Sequence, residues 1–160
     1  MDREYLHKVK SNLRHAEFAL SEPDEQEMNM AAYHIQQAVE LGLKQILKDY
    51  GVKYSKIHII GNLINLLPKD QEILSDGLLD SLGLLAPTLT EWKASSRYTE
   101  GYLPVRRILV MAYDVTKDFL SELEEGFSKL DAKSKQETED SEVLDDNENE
   151  NDGILKLDFK

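Results

Sequence analysis

An arginine followed by an aromatic, Arg97-Tyr98, sits in a Ser/Thr-rich stretch and is the strongest chemical signal in the chain. A guanidinium can grip a phosphate through two parallel N–H donors while a neighbouring ring stacks. The same guanidinium could instead pair with a carboxylate across the fold and pin its loop. A second group lies in residues 28–50, where Tyr33, Gln37, Glu40 and Lys44 recur at spacings that share one helix face. Glu40 and Lys44 form an i, i+4 pair in the favoured order. Exposed, such a pair contributes roughly a few tenths of a kcal/mol. Lining a groove, it could orient the Arg97 guanidinium. His34 flanks this ridge and could bond a nucleotide or pack against a neighbouring helix. His58 suits a helix cap or an inter-helix hydrogen bond. Tyr102, Arg106 and Arg107 could extend the Arg97 surface, the two arginines lying where a helix start disfavours positive charge.

Other chemistry finds no residues to carry it. The chain has no cysteine, which excludes a disulfide framework, a thiolate metal site and a Cys nucleophile. Its four histidines, at 7, 15, 34 and 58, have no metal-ligand spacing. Neither a Gly-rich phosphate loop nor a GxSxG is present. The expectation is no catalytic residue of a standard kind, no metal and no cofactor.

The elements that must position these residues are helical. Residues 28–50, MNMAAYHIQQAVELGLKQILKDY, carry a broad apolar stripe through Ala31, Ile35, Ala38, Val39, Gly42, Leu43 and Ile46. That is the pattern of a central helix, from about 25 to 50, with Asp24 as N-cap and Gly51 at the C′ position. A first helix spans about 2–20, with Tyr5, Leu6, Val9, Leu13, Ala16, Phe18 and Leu20 as its face. A third covers about 58–67 and a weaker fourth about 70–86, which Leu89 and Trp92 continue or follow with a short helix. Residues 95–103 read as loop. The last helix follows Pro104 to about 127, with Val105, Ile108, Leu109, Ala112, Val115, Thr116, Phe119, Leu120 and Leu123 as its stripe.

Composition divides the chain. Its net charge is −12, and residues 128–160 hold eleven acids against five bases, half of that charge. This segment has few aliphatics before its last seven residues and too little apolar surface to offset the entropy of ordering, so a disordered acidic tail is expected. The closing ILKLDFK could be a short strand, a docking peptide or a chain end without a role. The expected organisation is therefore a helical body over 1–127 and a tail over 128–160. A body this acidic is no generic polyanion binder, because phosphate neutralisation needs clustered Lys and Arg. A charged start and the absence of any apolar run of bilayer length point to a soluble, cytoplasmic protein with no membrane partner. Four or five helices and no convincing strand in the body define an all-α bundle.

AAYHIQQAVELGLKQIL, then Gly51, then Ile57-His58 opening a helix, and finally Ser96-Arg97-Tyr98 resemble a HEPN domain (higher eukaryote and prokaryote nucleotide-binding) over roughly residues 3–125. The resemblance implies an antiparallel up-and-down bundle, often a homodimer, with a nucleotide- or RNA-related role. It implies a separate minimal nucleotidyltransferase as partner, in a toxin–antitoxin type of pairing. The family's ribonucleases carry Arg, four to six residues, then His; no His follows Arg97, Arg106 or Arg107, and Arg3 and His7 are separated by only three. Binding is thus favoured over catalysis. A ribonuclease with a non-standard site and an interaction module acting through the acidic tail are the alternatives. The nucleotide-binding candidates are Arg97, Tyr98, His34, Gln37, Glu40, Lys44 and Tyr33.

Overall fold

The computed structural model describes residues 2–22, 24–98 and 102–158, with the side chains of 96–98 and 145–158 outside the description. Among the described residues all five elements are helices: α1 Glu4–Ser21, α2 Glu25–Asp49, α3 Ile60–Leu66, α4 Asp76–Tyr98 and α5 Arg106–Asp158. By its contacts the chain forms two compact units, Met1–Gly126 and Phe127–Lys160.

Cross-links fix the direction of each helix in the first unit. Arg3 bonds Asp49, the Tyr5 amide bonds Gln45, and Asn12 meets His34, so α1 and α2 run antiparallel. Arg106 donates to the Leu20 carbonyl and Lys10 pairs with Glu124, so α5 is antiparallel to α1. The Ser75 amide and hydroxyl both donate to Glu122, while Thr88 and Ile108 share one groove, so α4 is antiparallel to α5. The result is an up-and-down bundle with short α3 inserted between α2 and α4.

Local chemistry explains the boundaries. The Asp24 carboxylate accepts from the Gln26 amide at 2.8 Å, capping α2, and Gly51 takes φ +69° after its end. The Asn29 amide donates to the Tyr102 carbonyl, tying α2 to the chain before α5. The core of the unit is built from Val9, Leu13, Ile35, Leu43, Ile46, Leu82, Leu89, Trp92, Leu109 and Phe119, all buried.

Several sequence expectations need correction. Phe18 is 67% exposed, and Ala19 is buried in its place. Two residues beyond Ala16 is about 200° around a helix, so Phe18 faces away from the Val9–Leu13–Ala16 stripe. Residues 70–75 are not helical. The Gln71 side chain accepts from the amides of Ile73 and Leu74, satisfying the backbone in a turn. Ser75 then caps α4, its hydroxyl accepting from the Leu78 amide.

The loop expected from 95 is helix through Tyr98, because α4 runs straight past Pro87. The proline removes one helical hydrogen bond, a cost of about 3 kcal/mol or more. Leu82, Leu85, Ala86, Leu89 and Trp92 are buried on both sides of it and hold the helix together. In α5, Val105 is exposed and stands ahead of the first helical residue.

The second unit continues as helix to Asp158, including 154–158, where a strand was one of the expectations. Residues 131–144 are all exposed, so this stretch contributes nothing to a packed core.

Two glycines give opposite predictions. A Cβ at Gly42 would lie 2.4 Å from Phe119 Cε1 and 2.9 Å from Leu123 Cδ1, both in the packed interior. Gly42→Ala should therefore destabilise by roughly 2 kcal/mol through overpacking. A Cβ at Gly83, inside α4, meets nothing within 4 Å. Gly83→Ala should stabilise by about 0.5–1 kcal/mol through helix propensity. Urea unfolding of the two variants checks both; equal stabilities would contradict the α2–α5 packing.

Candidate functional site

Glu40 lies at the centre of the polar face of α2, and its side chain is only 4% exposed. An ionised carboxylate at that depth requires partners. Its Oε1 accepts from Lys93 Nζ of α4 at 2.9 Å and from Gln36 Nε2 at 2.9 Å. Its Oε2 accepts from Lys44 Nζ at 3.1 Å and lies 3.2 Å from His58 Nδ1, in the segment before α3. Lys93 Nζ is also 3.0 Å from His58 Nδ1.

The chemistry of that last contact is restrictive. An ammonium has no lone pair, so bonding Lys93 requires a bare Nδ1 and a neutral ring protonated at Nε2. Bonding Glu40 requires a proton on Nδ1. The ring can therefore serve one partner or the other according to its protonation.

Burial on its own would raise the Glu40 pKa. Hydrogen bonds from Lys93, Lys44 and His58, with the charge of Lys44, outweigh burial and hold the carboxyl below its ordinary 4.5. One carboxylate thus faces two ammoniums and an imidazole, a local excess of at least one positive charge in an acidic chain. The excess reaches solvent: the His58 side chain is 52% exposed and that of Lys93 26%.

The positive row continues along α2. Lys44 Nζ stands 5.8 Å from the Tyr54 ring centroid and Lys48 Nζ 5.5 Å from that of Tyr5. Burial, then the hydrogen bond with Tyr5, pushes the Tyr54 hydroxyl up to about 12, so it remains a protonated donor.

The residues singled out from sequence divide into three sets. Glu40 and Lys44 meet in the cluster. Gln37 is joined to it indirectly, donating to Gln36 Oε1 at 2.7 Å. Tyr33 lies on the same helix face but contacts the His34 ring edge-on. His34 turns to α1: its Nδ1 is 2.8 Å from Asn12 Oδ1 and its ring 4.9 Å from that of His15. Burial, then His15, lowers the His34 pKa from its ordinary 6.5. Arg97 and Tyr98 end α4, and their side chains lie outside the described residues. Arg97 follows Lys93 by four positions on a continuous helix, the spacing at which residues share a face. Arg106 instead bonds the end of α1.

Sequence reasoning missed Gln36 and Lys93. Gln36 fits the ridge at 33, 36, 40 and 44, and its signal was the same helical period. Lys93 follows the buried Trp92, but finding it required reading α4 as continuous through Pro87. Arg3, too, is buried and pairs with Asp49 at 2.8 Å.

The HEPN domain family matches residues 3–126, and the chain belongs to that family. It is similar to TT1696 from Thermus thermophilus, known from its crystal structure, with 26% identity and a TM-score of 0.61 over 79% of this chain and 99% of that one. No curated protein matches it. No described helix is long and apolar enough to cross a membrane.

Glu40→Gln keeps the side chain's shape but leaves two ammoniums without their anion. Removing one partner of a buried ion pair costs about 3–5 kcal/mol, and solvent access at Lys93 places the expectation near the lower end. Because the folded carboxyl titrates below 4.5, its stabilisation is fully present above that value and lost as pH falls through the folded pKa. Chemical denaturation should show a large gap between wild type and variant at pH 7 that closes in acid. A gap independent of pH would contradict the ion-pair assignment.

Proposed function

We propose that this HEPN domain is a nucleotide- or RNA-associated binding module that holds a phosphate at the Glu40–Lys44–His58–Lys93 cluster. The observation that carries this reading is the excess of cations over a single buried carboxylate. Each lysine ammonium has three N–H donors. One of those on Lys93 is engaged by Glu40 and a second by His58 when its Nδ1 is bare, which leaves at least one for a ligand oxygen. Glu40 holds both lysines in place and is ionised, so the cluster is preorganised before any anion arrives. Arg97 and Tyr98, on the last turn of α4, are proposed to complete the site, with Gln37 and Tyr33 on its α2 side. His34 is proposed as a peripheral member only, given its bond to Asn12. A separate minimal nucleotidyltransferase, in a toxin–antitoxin type of pairing, is the proposed protein partner.

Titration with AMP followed by heteronuclear NMR tests the reading. Shifts should map to Lys93, His58 and Lys44, and Lys93→Met should weaken binding at least tenfold. Shifts elsewhere, or none, would reject the phosphate site. The same cluster gives a second reading its one support: His58 beside Glu40 and Lys93 is an imidazole next to a cation, the minimum for metal-free RNA cleavage. Cleavage of pooled RNA that disappears in His58→Ala would replace binding with catalysis.

A homodimer is also proposed, through the α4–α5 face. There a groove of about 220 Å³ is lined by Ser81, Leu84, Leu85, Thr88, Ile108, Met111 and Val115. Leu84 stands 85% exposed beside it, and Met111 is exposed too. A protruding leucine next to an apolar groove is self-complementary across a two-fold axis. Light scattering should find wild type dimeric at micromolar concentration and Leu84→Glu monomeric. A monomeric wild type, or a dimer indifferent to Leu84→Glu, would refute this face.

A further inference from the structure

His15 and His34 lie far apart in sequence, and the antiparallel packing of α1 on α2 brings their rings together. The ring centroids are 4.9 Å apart and the planes are tilted by 47°. His15 is exposed and His34 half-buried, so the pair sits at the rim of the α1–α2 seam. His34 turns toward α1, whereas Glu40 is bound from α4 and the segment before α3.

The bonds around His34 decide which nitrogen carries its proton. The Asn12 side-chain amide donates through Nδ2 to the Lys8 carbonyl at 2.8 Å, which leaves its Oδ1 to meet His34 Nδ1, also at 2.8 Å. An amide oxygen only accepts, so Nδ1 holds the proton. Burial, then His15, lowers the His34 pKa from its ordinary 6.5. The ring is therefore neutral at pH 7, and Nε2 keeps a bare lone pair. Tyr33 packs edge-on against the same ring, 5.2 Å between centroids, and restricts its rotation. One nitrogen protonated toward a carbonyl oxygen and the other bare is the state of a metal-binding histidine.

The spacing of the two rings fits that chemistry. With metal–nitrogen bonds of about 2.0–2.1 Å, two imidazoles on one ion have centroids roughly 4.6 Å apart at a right angle and roughly 5.3 Å apart at the tetrahedral angle. The observed 4.9 Å falls between these limits. His15, being exposed, can rotate to offer either nitrogen. Among the described residues no group of three or more His, Asp or Glu could hold a metal, so the pair supplies two nitrogens and solvent fills the remaining positions. Imidazole suits borderline ions such as Zn²⁺, whereas Mg²⁺ prefers oxygen.

We infer that His15 and His34 form a two-nitrogen site for a divalent transition-metal ion that links α1 to α2, with Asn12 positioning the His34 ring. The site is independent of the phosphate reading above, since none of its residues binds Glu40.

Zn²⁺ is the probe, titrated calorimetrically into the full chain at pH 7, with Mg²⁺ as the control for surface carboxylates. Wild type should bind one Zn²⁺ that excess Mg²⁺ does not displace. His15→Ala, at an exposed position that leaves folding intact, should weaken this binding at least about tenfold. Asn12→Ala should weaken it by about tenfold or more, because the His34 ring loses the acceptor that orients it. Nitrogen NMR of the imidazoles should find the Nδ1–H tautomer at His34 without metal, and Zn²⁺ should shift its Nε2. Equal Zn²⁺ binding in wild type and His15→Ala would overturn the inference. So would displacement by Mg²⁺ at comparable concentration, which would assign the ion to carboxylates, or a His34 Nε2 signal that stays in place at saturation.

Discussion

A carboxylate withdrawn from water must be neutralised where it sits, and Glu40 is withdrawn almost completely. Its two oxygens are bound from three elements: Gln36 and Lys44 on α2, His58 before α3, and Lys93 on α4. None of these groups could take its position without the helix that carries it. The requirement to partner one buried charge therefore fixes the approach of α4 to α2 and the path of the chain between them. The same requirement gathers positive charge in a chain whose net charge is −12. Thr90, one turn before Lys93, adds a neutral fastening by receiving the Ile60 amide.

How far this could be read from sequence follows the physics of each element. α1, α2 and the first turns of α5 have regular apolar periods, and apart from Phe18 and Val105 their cores appeared where the spacing put them. The cap at Asp24 and the left-handed Gly51 were equally legible, because each answers a local backbone need. α4 was not. Its sequence holds Pro87 and two glycines, all of which argue locally for interruption, and only the burial of Leu89 and Trp92 against other helices keeps it whole. Tertiary packing there overrides local preference, and no window of sequence contains that information. The cost was specific: Lys93 lay in the stretch after Pro87, where continued and restarted helix were both open, and it went unseen.

The candidate site shows the same division. Glu40 and Lys44 were visible as an i, i+4 pair, but their meaning was open between a solvated surface pair and a groove. Their burial rules out the solvated pair, and Lys93 and His58 arrive from elsewhere in the chain to meet Glu40. His34 was equally visible and belongs to the α1–α2 interface instead, bonded to Asn12. A helix face lists residues that could act together. Which of them do so depends on what the neighbouring helices bring to that face. Family membership supplies the architecture over residues 3–126, while the chemistry rests on these particular contacts.

The central claim is that Glu40 is an ionised, buried carboxylate held by cations that α4 and the α3 approach deliver. The most direct measurement is the pH titration of its side-chain carboxyl carbon by NMR, in wild type and in Lys93→Met. The account predicts a midpoint below 4.5 in wild type that moves upward when the lysine is removed. A wild-type midpoint above 4.5, or one indifferent to Lys93, would mean that burial dominates and that the cluster does not exist as described.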